Sequence, residues 1–193
     1  GDFLYNDLEC ETMQRDIETC AALGCDGVVL GALDAEGHVD TARCRPLIVA
    51  AGTLGVTFHR AFDLSRDPLR ALEDIIALGC ERVLTSGAQP SAVEGATLIR
   101  TLVTQANGRL AVMPGAGITA RNIAALAATT GAREFHASAK HQLPSGMQHR
   151  LPRLEDMQAG ELRTDAEQVR ALVLALATAF APPPAWQGEV GRG

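Results

Sequence analysis

The chain has 193 residues and is 47% hydrophobic, enough for one substantial core and more consistent with one domain than with two. A formal net charge of −6, an aromatic content of 4% and the lack of a Lys/Arg cluster argue against a nucleic-acid-binding surface. The most apolar helical stretch, Val169 to Phe180, is too short to span a membrane.

The first element predicted is a helix, because Leu8, Met13, Ile17 and Ala21 share a face. Short apolar runs then recur every 24 to 29 residues: Gly27–Leu30, Val56–His59, Arg82–Thr85, Leu110–Met113 and Glu134–Ala137. Helical patterns separate them. Asp67-Pro68 puts a cap before a proline at the first helical position, and the stripe Leu69, Leu72, Ile75, Ile76 stops at Gly79. Ser91–Glu94 and Thr164–Glu167 fit the capping box, in which hydroxyl and carboxylate satisfy the first free amides. Thr119 is the expected cap of a helix that Gly131 ends. The polar stretch 141–163 reads as a long loop, and the chain from Pro182 as an extended or disordered tail, which puts the domain at 1–181.

One helix followed by five strand–helix units means an α/β fold with a parallel sheet. Five units complete a doubly wound sheet but not a (β/α)8 TIM barrel, which needs eight. A doubly wound nucleotide binder would carry a Gly-rich turn after its first strand, whereas Leu30 is followed by GALDAEGHVD. The helix-first opening at Gly1 favours a barrel lacking its first strands, with the native N-terminus out of view.

Both folds bind ligands at the C-terminal ends of their strands. Those ends are polar here: His59-Arg60 followed by Asp63, then Thr85-Ser86-Gly87, then Pro114-Gly115-Ala116-Gly117, then His136-Ala137-Ser138. Alternation puts Thr57 with His59 on one side of its strand and His136 with Ser138 on one side of the last, opposite the apolar residues that face helices. Both histidines are thus expected to point into the mouth. Clustered titratable groups in a cleft are a usual mark of function, although a core histidine and a local Arg60–Asp63 ion pair fit the same residues. His38, His141 and His149 lie in loop-like segments and are poorer candidates. Gly115 and Gly117, ahead of a helix N-terminus, suit either an anion loop or a tight turn.

The five cysteines (Cys10, Cys20, Cys25, Cys44, Cys80) are an odd number without a C-x-x-C, which argues against a disulfide framework and for a reducing cytosol. Cys10 and Cys20 fall on different helix faces, and Cys25 and Cys80 lie near strand starts, away from the polar mouth. They make no convergent metal site, and buried structural thiols are expected for most of them.

GDFLYND, GALDAEGHVD, TFHRAFD, ERVLTSGA, MPGAGITARNI and EFHASA together resemble the CutC family of copper homeostasis proteins, from Gly1 to about Lys140. The resemblance implies a (β/α)8 barrel in which three strands precede this chain, so that its five units are strands 4 to 8. It also implies cytosolic handling of copper, as Cu(I), with the natural cysteine ligands upstream. The residues in view support an alternative, a TIM-barrel enzyme on a small phosphorylated or carboxylated substrate. There Arg60 binds charge, His59 and His136 exchange protons, Asp63 orients its neighbours, and Ser86, Gly87, Gly115, Gly117 and Ser138 contact the ligand. Exposed sheet edges make a homo-oligomer the expected state.

Overall fold

The structure is a computed structural model that describes residues 2–149, 151, 153 and 160–181. The expected tail from Pro182 lies outside the described residues. In chain order the elements are α1 (Asp7–Ala22), β1 (Gly27–Leu30), α2 (Thr41–Ala51), β2 (Gly55–Phe58), a 3-10 turn (Arg60–Leu64) and α3 (Pro68–Leu78). They continue as β3 (Arg82–Thr85), α4 (Ala96–Ala106), β4 (Ala111–Pro114), α5 (Ile123–Thr130), β5 (Lys140–Leu143), β6 (Glu161–Thr164) and α6 (Ala166–Ala179).

β1 to β4 form a parallel sheet in sequential order, and each helix packs against its neighbours in sequence. A doubly wound sheet reverses its strand order partway. This one does not, so the strands wind in one direction, as in a barrel wall. The register pairs Leu30 with Phe58, Phe58 with Val83 and Thr85 with Pro114. Val56, Phe58, Val83, Thr85 and Val112 therefore share the helix side, where they are buried with Leu47, Leu72, Ile75, Ile99 and Leu102. The other side carries Val29, Thr57, Arg82, Leu84, Ala111 and Met113. It is the more open face, with Val29 64% exposed.

Local signals account for most helix ends. Asp67 caps α3 by accepting from the Leu69 and Arg70 amides, with Pro68 next, and Gly79 ends it in the left-handed region. Gly131 does the same for α5. Other boundaries differ from expectation. Ser91 and Glu94 do bond each other, but they close a turn ahead of α4. Asp165, not Thr164, caps α6 by accepting from the Glu167 amide. Thr119 does not cap α5 directly. Asn122 precedes that helix, and its Oδ1 accepts from the Thr119 amide. On the first helix Ile17 is buried and Met13 half-buried, while Leu8 is exposed.

The largest correction concerns the fifth strand. Residues 134–137 run beside β4 but form no ladder. His136 donates its amide to the Pro114 carbonyl at 2.9 Å. In a parallel pair the same residue of β4 would donate its own amide to the Glu134 carbonyl, and proline has none. Pro114 thus supplies half a bridge. The strand that follows is β5, which pairs antiparallel with β6. The expected 141–163 loop is therefore a hairpin at its two ends. Its strands are almost wholly exposed, so no apolar alternation announced them.

Candidate active site

His59 follows β2 directly, and its amide donates to the Leu30 carbonyl at 2.9 Å, extending the ladder by one step. That step sets His59 beside Gly31. A Cβ on Gly31 would lie 2.6 Å from His59 Nδ1, so a glycine is needed there for the imidazole to lie against the neighbouring strand end. Phe3 packs against the imidazole too, ring to ring at 4.8 Å with a 55° tilt.

The imidazole has a defined tautomer. Nδ1 accepts a hydrogen bond from the Ala61 amide at 3.2 Å. A nitrogen that accepts carries no proton, so in the neutral ring Nε2 bears it. Burial lowers the His59 pKa below its ordinary 6.5, only partly offset by a backbone hydrogen bond. His59 is therefore a neutral donor through Nε2–H.

Arg60 opens the 3-10 turn, and Asp63 lies one turn on. Asp63 is 7% exposed and its carboxylate is fully engaged. Oδ1 accepts from Thr85 Oγ1 at 2.5 Å, from the Ser86 amide at 3.0 Å and from the Ala88 amide at 3.1 Å. Oδ2 accepts from Arg60 Nε at 2.7 Å and from the Ser86 amide at 3.1 Å. Burial raises the Asp63 pKa, but the bonds from Thr85, Arg60 and the Ala88 and Ser86 amides outweigh it and leave the carboxyl below its usual range. Asp63 thus takes up the amides of the loop after β3 and so fixes its neighbours.

Arg60 is held at two points. Besides Asp63, its Nη2 donates to Ser86 Oγ at 2.8 Å. Its side chain stays 44% exposed, and Nη1 has no partner among the described residues. Ser86 and Gly87 are buried. Gly87 has φ +70, and a Cβ there would lie 2.4 Å from the Gly95 carbonyl oxygen, so it serves close packing of the loop. Thr85, expected at the polar end of its strand, joins the loop to Asp63 and accepts from the Gly87 amide at 2.8 Å.

On the far side of the sheet mouth, Gly115 lies beside His136. A Cβ on Gly115 would lie 2.5 Å from Leu84 Cδ1 and 3.5 Å from His136 Cβ. His136 is exposed, and no hydrogen bond or ring contact joins it to His59 among the described residues. Two strands separate them, about 14 Å at the usual interstrand spacing. Gly117 is exposed with φ +75, and its carbonyl accepts from Asn122 Nδ2 at 2.8 Å. Asn122 thus braces both ends of this turn and takes up the Thr119 amide. Ser138 is exposed and leads towards the hairpin, where its carbonyl accepts from Thr164 Oγ1 at 3.4 Å. The structure therefore joins Arg60, Asp63, Ser86 and Gly87 in one hydrogen-bonded network, holds the neighbouring His59 by separate contacts, sets Gly115 with His136 elsewhere, and leaves Gly117 and Ser138 at the edge. The sequence reading missed Phe3 and Gly31, and it named Thr85 only as part of a polar strand end. Gly31 was signalled by its position one residue past β1.

The thiols differ from expectation, since only Cys44 and Cys80 are buried. Burial pushes their pKa values up to about 11 and about 12. Among the described residues no group of three His, Cys, Asp or Glu side chains is placed to hold a metal ion. No helix among them is long and apolar enough to cross a membrane.

Comparison with known proteins follows the same outline. The CutC family model matches residues 1–141. A CutC family protein of Xanthomonas campestris pv. campestris strain B100 is 57% identical over 179 residues, covering 93% of this chain and 75% of that protein. The human copper homeostasis protein cutC homolog is 51% identical over 150 residues, covering 78% of this chain and 55% of that one. The crystal structure of the putative copper homeostasis protein CutC from Streptococcus agalactiae superposes with a TM-score of 0.68 at 36% identity, over 70% of this chain and 67% of that one. The native KDPGal structure, a TIM barrel 16% identical with a TM-score of 0.55, covers 86% of this chain and 65% of its own and bears on the fold alone. The sheet is thus part of a TIM barrel, and the chain belongs to the CutC family.

Proposed function

We propose that this chain binds a small anionic molecule, phosphorylated or carboxylated, at the C-terminal ends of β2 to β4 and acts on it as an enzyme. The observation that carries the proposal is the pair of presented donors. Arg60 is braced on Asp63 and Ser86 with one guanidinium nitrogen to spare, and His59 holds out a neutral Nε2–H. Arg60 takes the ligand's charge. His59 donates to a ligand oxygen on which negative charge develops, a role for which a neutral imidazole with a fixed tautomer is suited. Its Nδ1 is occupied by the Ala61 amide, so base chemistry falls to another group, and His136 is the candidate across the sheet.

The test is a ligand titration followed by NMR, with inorganic phosphate, sugar phosphates and small di- and tricarboxylates as probes. Binding should move the His59 and Arg60 side-chain resonances. Arg60→Ala should then weaken binding about 10- to 150-fold, the equivalent of a charge-assisted hydrogen bond of about 1.5–3 kcal/mol. A panel in which no anion moves either side chain overturns the proposal.

Copper handling is the second reading, since copper homeostasis is what the human relative's name states of that protein. Adjacent thiols at Cys20 and Cys25 supply two soft donors in its favour. Cu(I) titration against a competing chelator tests it, and no uptake beyond the Cys25→Ser control rejects it. We propose the cytoplasm as the site of action, which five unbridged cysteines suit. We also propose self-association through the open sheet face around Val29, to be measured by light scattering.

A further inference from the structure

Helix α1 ends in a Schellman turn. The Cys25 amide donates to the Cys20 carbonyl at 3.1 Å, the Gly24 amide donates to the Ala21 carbonyl at 3.2 Å, and Gly24 has φ +73. This turn brings together the side chains of the residue three from the helix end and the residue just after the glycine. Helix α3 ends in the same way. Cys80 donates to the Ile75 carbonyl at 3.3 Å and Gly79 to the Ile76 carbonyl at 3.0 Å. The sequence Ala-Leu-Gly-Cys occurs at both ends, at 22–25 and at 77–80. In α3 the pair that meets is Ile75 with Cys80, both buried. In α1 the corresponding pair is Cys20 with Cys25, two thiol residues joined by the bond from the Cys25 amide to the Cys20 carbonyl. Apolar contact is the usual content of this turn, so two sulfurs there are not explained by packing.

We propose that Cys20 and Cys25 are a redox-active pair that closes a reversible disulfide when the chain meets a peroxide. A disulfide needs Cα atoms about 4.4–6.8 Å apart, and a carbonyl bonded to its partner's amide keeps two residues in that neighbourhood. Cys25 is exposed and Cys20 is partly covered. The Cys25 thiolate attacks hydrogen peroxide, taking one oxygen as a sulfenic acid and releasing hydroxide. The Cys20 sulfur then attacks the Cys25 sulfur, a sulfur–sulfur bond forms, and the second oxygen leaves as hydroxide. In sum two thiols and one peroxide give one disulfide and two waters. The sulfurs lose two electrons and the peroxide gains them. Its exposure makes Cys25 the sulfur that oxidant meets first, and Cys20 the sulfur that resolves it. The other thiols are placed differently. Cys44 and Cys80 are buried, and Cys10 accepts from Arg43 Nη1 at 3.4 Å. The closed bridge fastens the last turn of α1 to the entry of β1, at the opposite end of the sheet from His59 and Arg60. The proposal depends on neither functional reading.

Mass mapping tests it on the whole chain, freed of metal with a chelator. The protein is treated with hydrogen peroxide, unfolded, alkylated and cut with trypsin. Cys20 and Cys25 fall on one peptide, Asp16 to Arg43, with no other cysteine. That peptide should lose both alkylation sites together, appear lighter by two hydrogens, and recover both sites after dithiothreitol. Cys80, in the same turn without a thiol partner, should stay alkylated. Cys20→Ser should remove the bridge and leave Cys25 carrying oxygen instead. The proposal is overturned if the wild-type peptide stays doubly alkylated, if Cys25 passes straight to the sulfinic state, or if either sulfur bridges to a second chain or another cysteine.

Discussion

Replacing Asp63 by asparagine removes the charge at the centre of the strand-end network while keeping the shape of the side chain. The amide oxygen can still take the bonds from Thr85 Oγ1 and the Ala88 amide. The new NH2 group then faces Arg60 Nε–H, donor against donor, while the Ser86 amide keeps its bond to Oδ1 at 3.0 Å. A hydrogen bond to a buried charge contributes about 1.5–3 kcal/mol. The Arg60 bond counts for less, about 0.5–1 kcal/mol, because that guanidinium is 44% exposed and free to turn to water. The bonds that remain, from Thr85 Oγ1 and the Ser86 and Ala88 amides, drop from charge-assisted to neutral strength. Together the expected loss is about 2–3 kcal/mol at neutral pH. The pH dependence identifies the cause. Asp63 titrates below its ordinary value of 3.8 in the folded chain. Its contribution is therefore complete above that value and is lost as pH falls through the lower, folded one. Urea unfolding of both proteins should show the full gap at neutral pH and a narrowing gap in acid, where the native carboxyl is neutral too. A gap under about 0.5 kcal/mol at neutral pH, within the range of an ordinary surface change, or a gap that ignores pH, refutes the account of Asp63.

Two further predictions concern His59. Gly31→Ala puts a methyl 2.6 Å from Nδ1 and 3.1 Å from the Phe58 ring, so the imidazole must turn away at an overpacking cost of about 1–3 kcal/mol. Anion binding at Arg60 should survive while the His59 signal loses its response to ligand, and an unchanged His59 spectrum would contradict the contact. In the parent chain a 15N titration should show the Nε2–H tautomer and a midpoint below 6.5, because burial disfavours the imidazolium. Since the unfolded chain takes up that proton first, stability is complete above 6.5 and falls as pH drops towards the folded midpoint. A midpoint at or above 6.5 would mean that the ring is not desolvated as described.

The parallel wall was legible because each strand has an apolar helix-facing row between clear stops. β1 and β3 match their expected spans, and β2 and β4 differ from theirs by one residue. The fifth strand failed on one backbone atom. Glu134–Ala137 has the right pattern, but a strand needs a partner's amides, and the partner position is Pro114. No property of residues 134–137 themselves reveals that. The β5–β6 hairpin was hidden for a different reason, since KHQL and ELRT face solvent on nearly every residue and carry no period-two signal. At the site, alternation correctly put His59 on the face away from the helices. It could not say which nitrogen carries the proton, because that depends on the Ala61 amide, fixed only once the chain turns into its 3-10 segment.

The network also separates two jobs that look alike in the sequence. His59, Arg60 and Asp63 fall within five positions and all titrate, yet they cannot all meet a ligand. Asp63 has given its oxygens to four residues and lies out of solvent, so its charge is already answered inside the protein. Its effect reaches the mouth only through what it holds: the Arg60 guanidinium on one side and the loop of Thr85, Ser86 and Ala88 on the other. The charge of Arg60 is braced but not buried, which leaves it able to attract an anion without the cost of desolvating an isolated ion. His59 is held by a different set, Gly31, Phe3 and the Ala61 amide, and stays neutral. One fixed cation and one fixed neutral donor, each positioned by its own surroundings, suit recognition of a charged group with a polarisable oxygen nearby. Loss of Asp63 should therefore degrade the Arg60 half of the site and leave the His59 tautomer intact, a split that the 15N spectrum of Asp63→Asn can read directly.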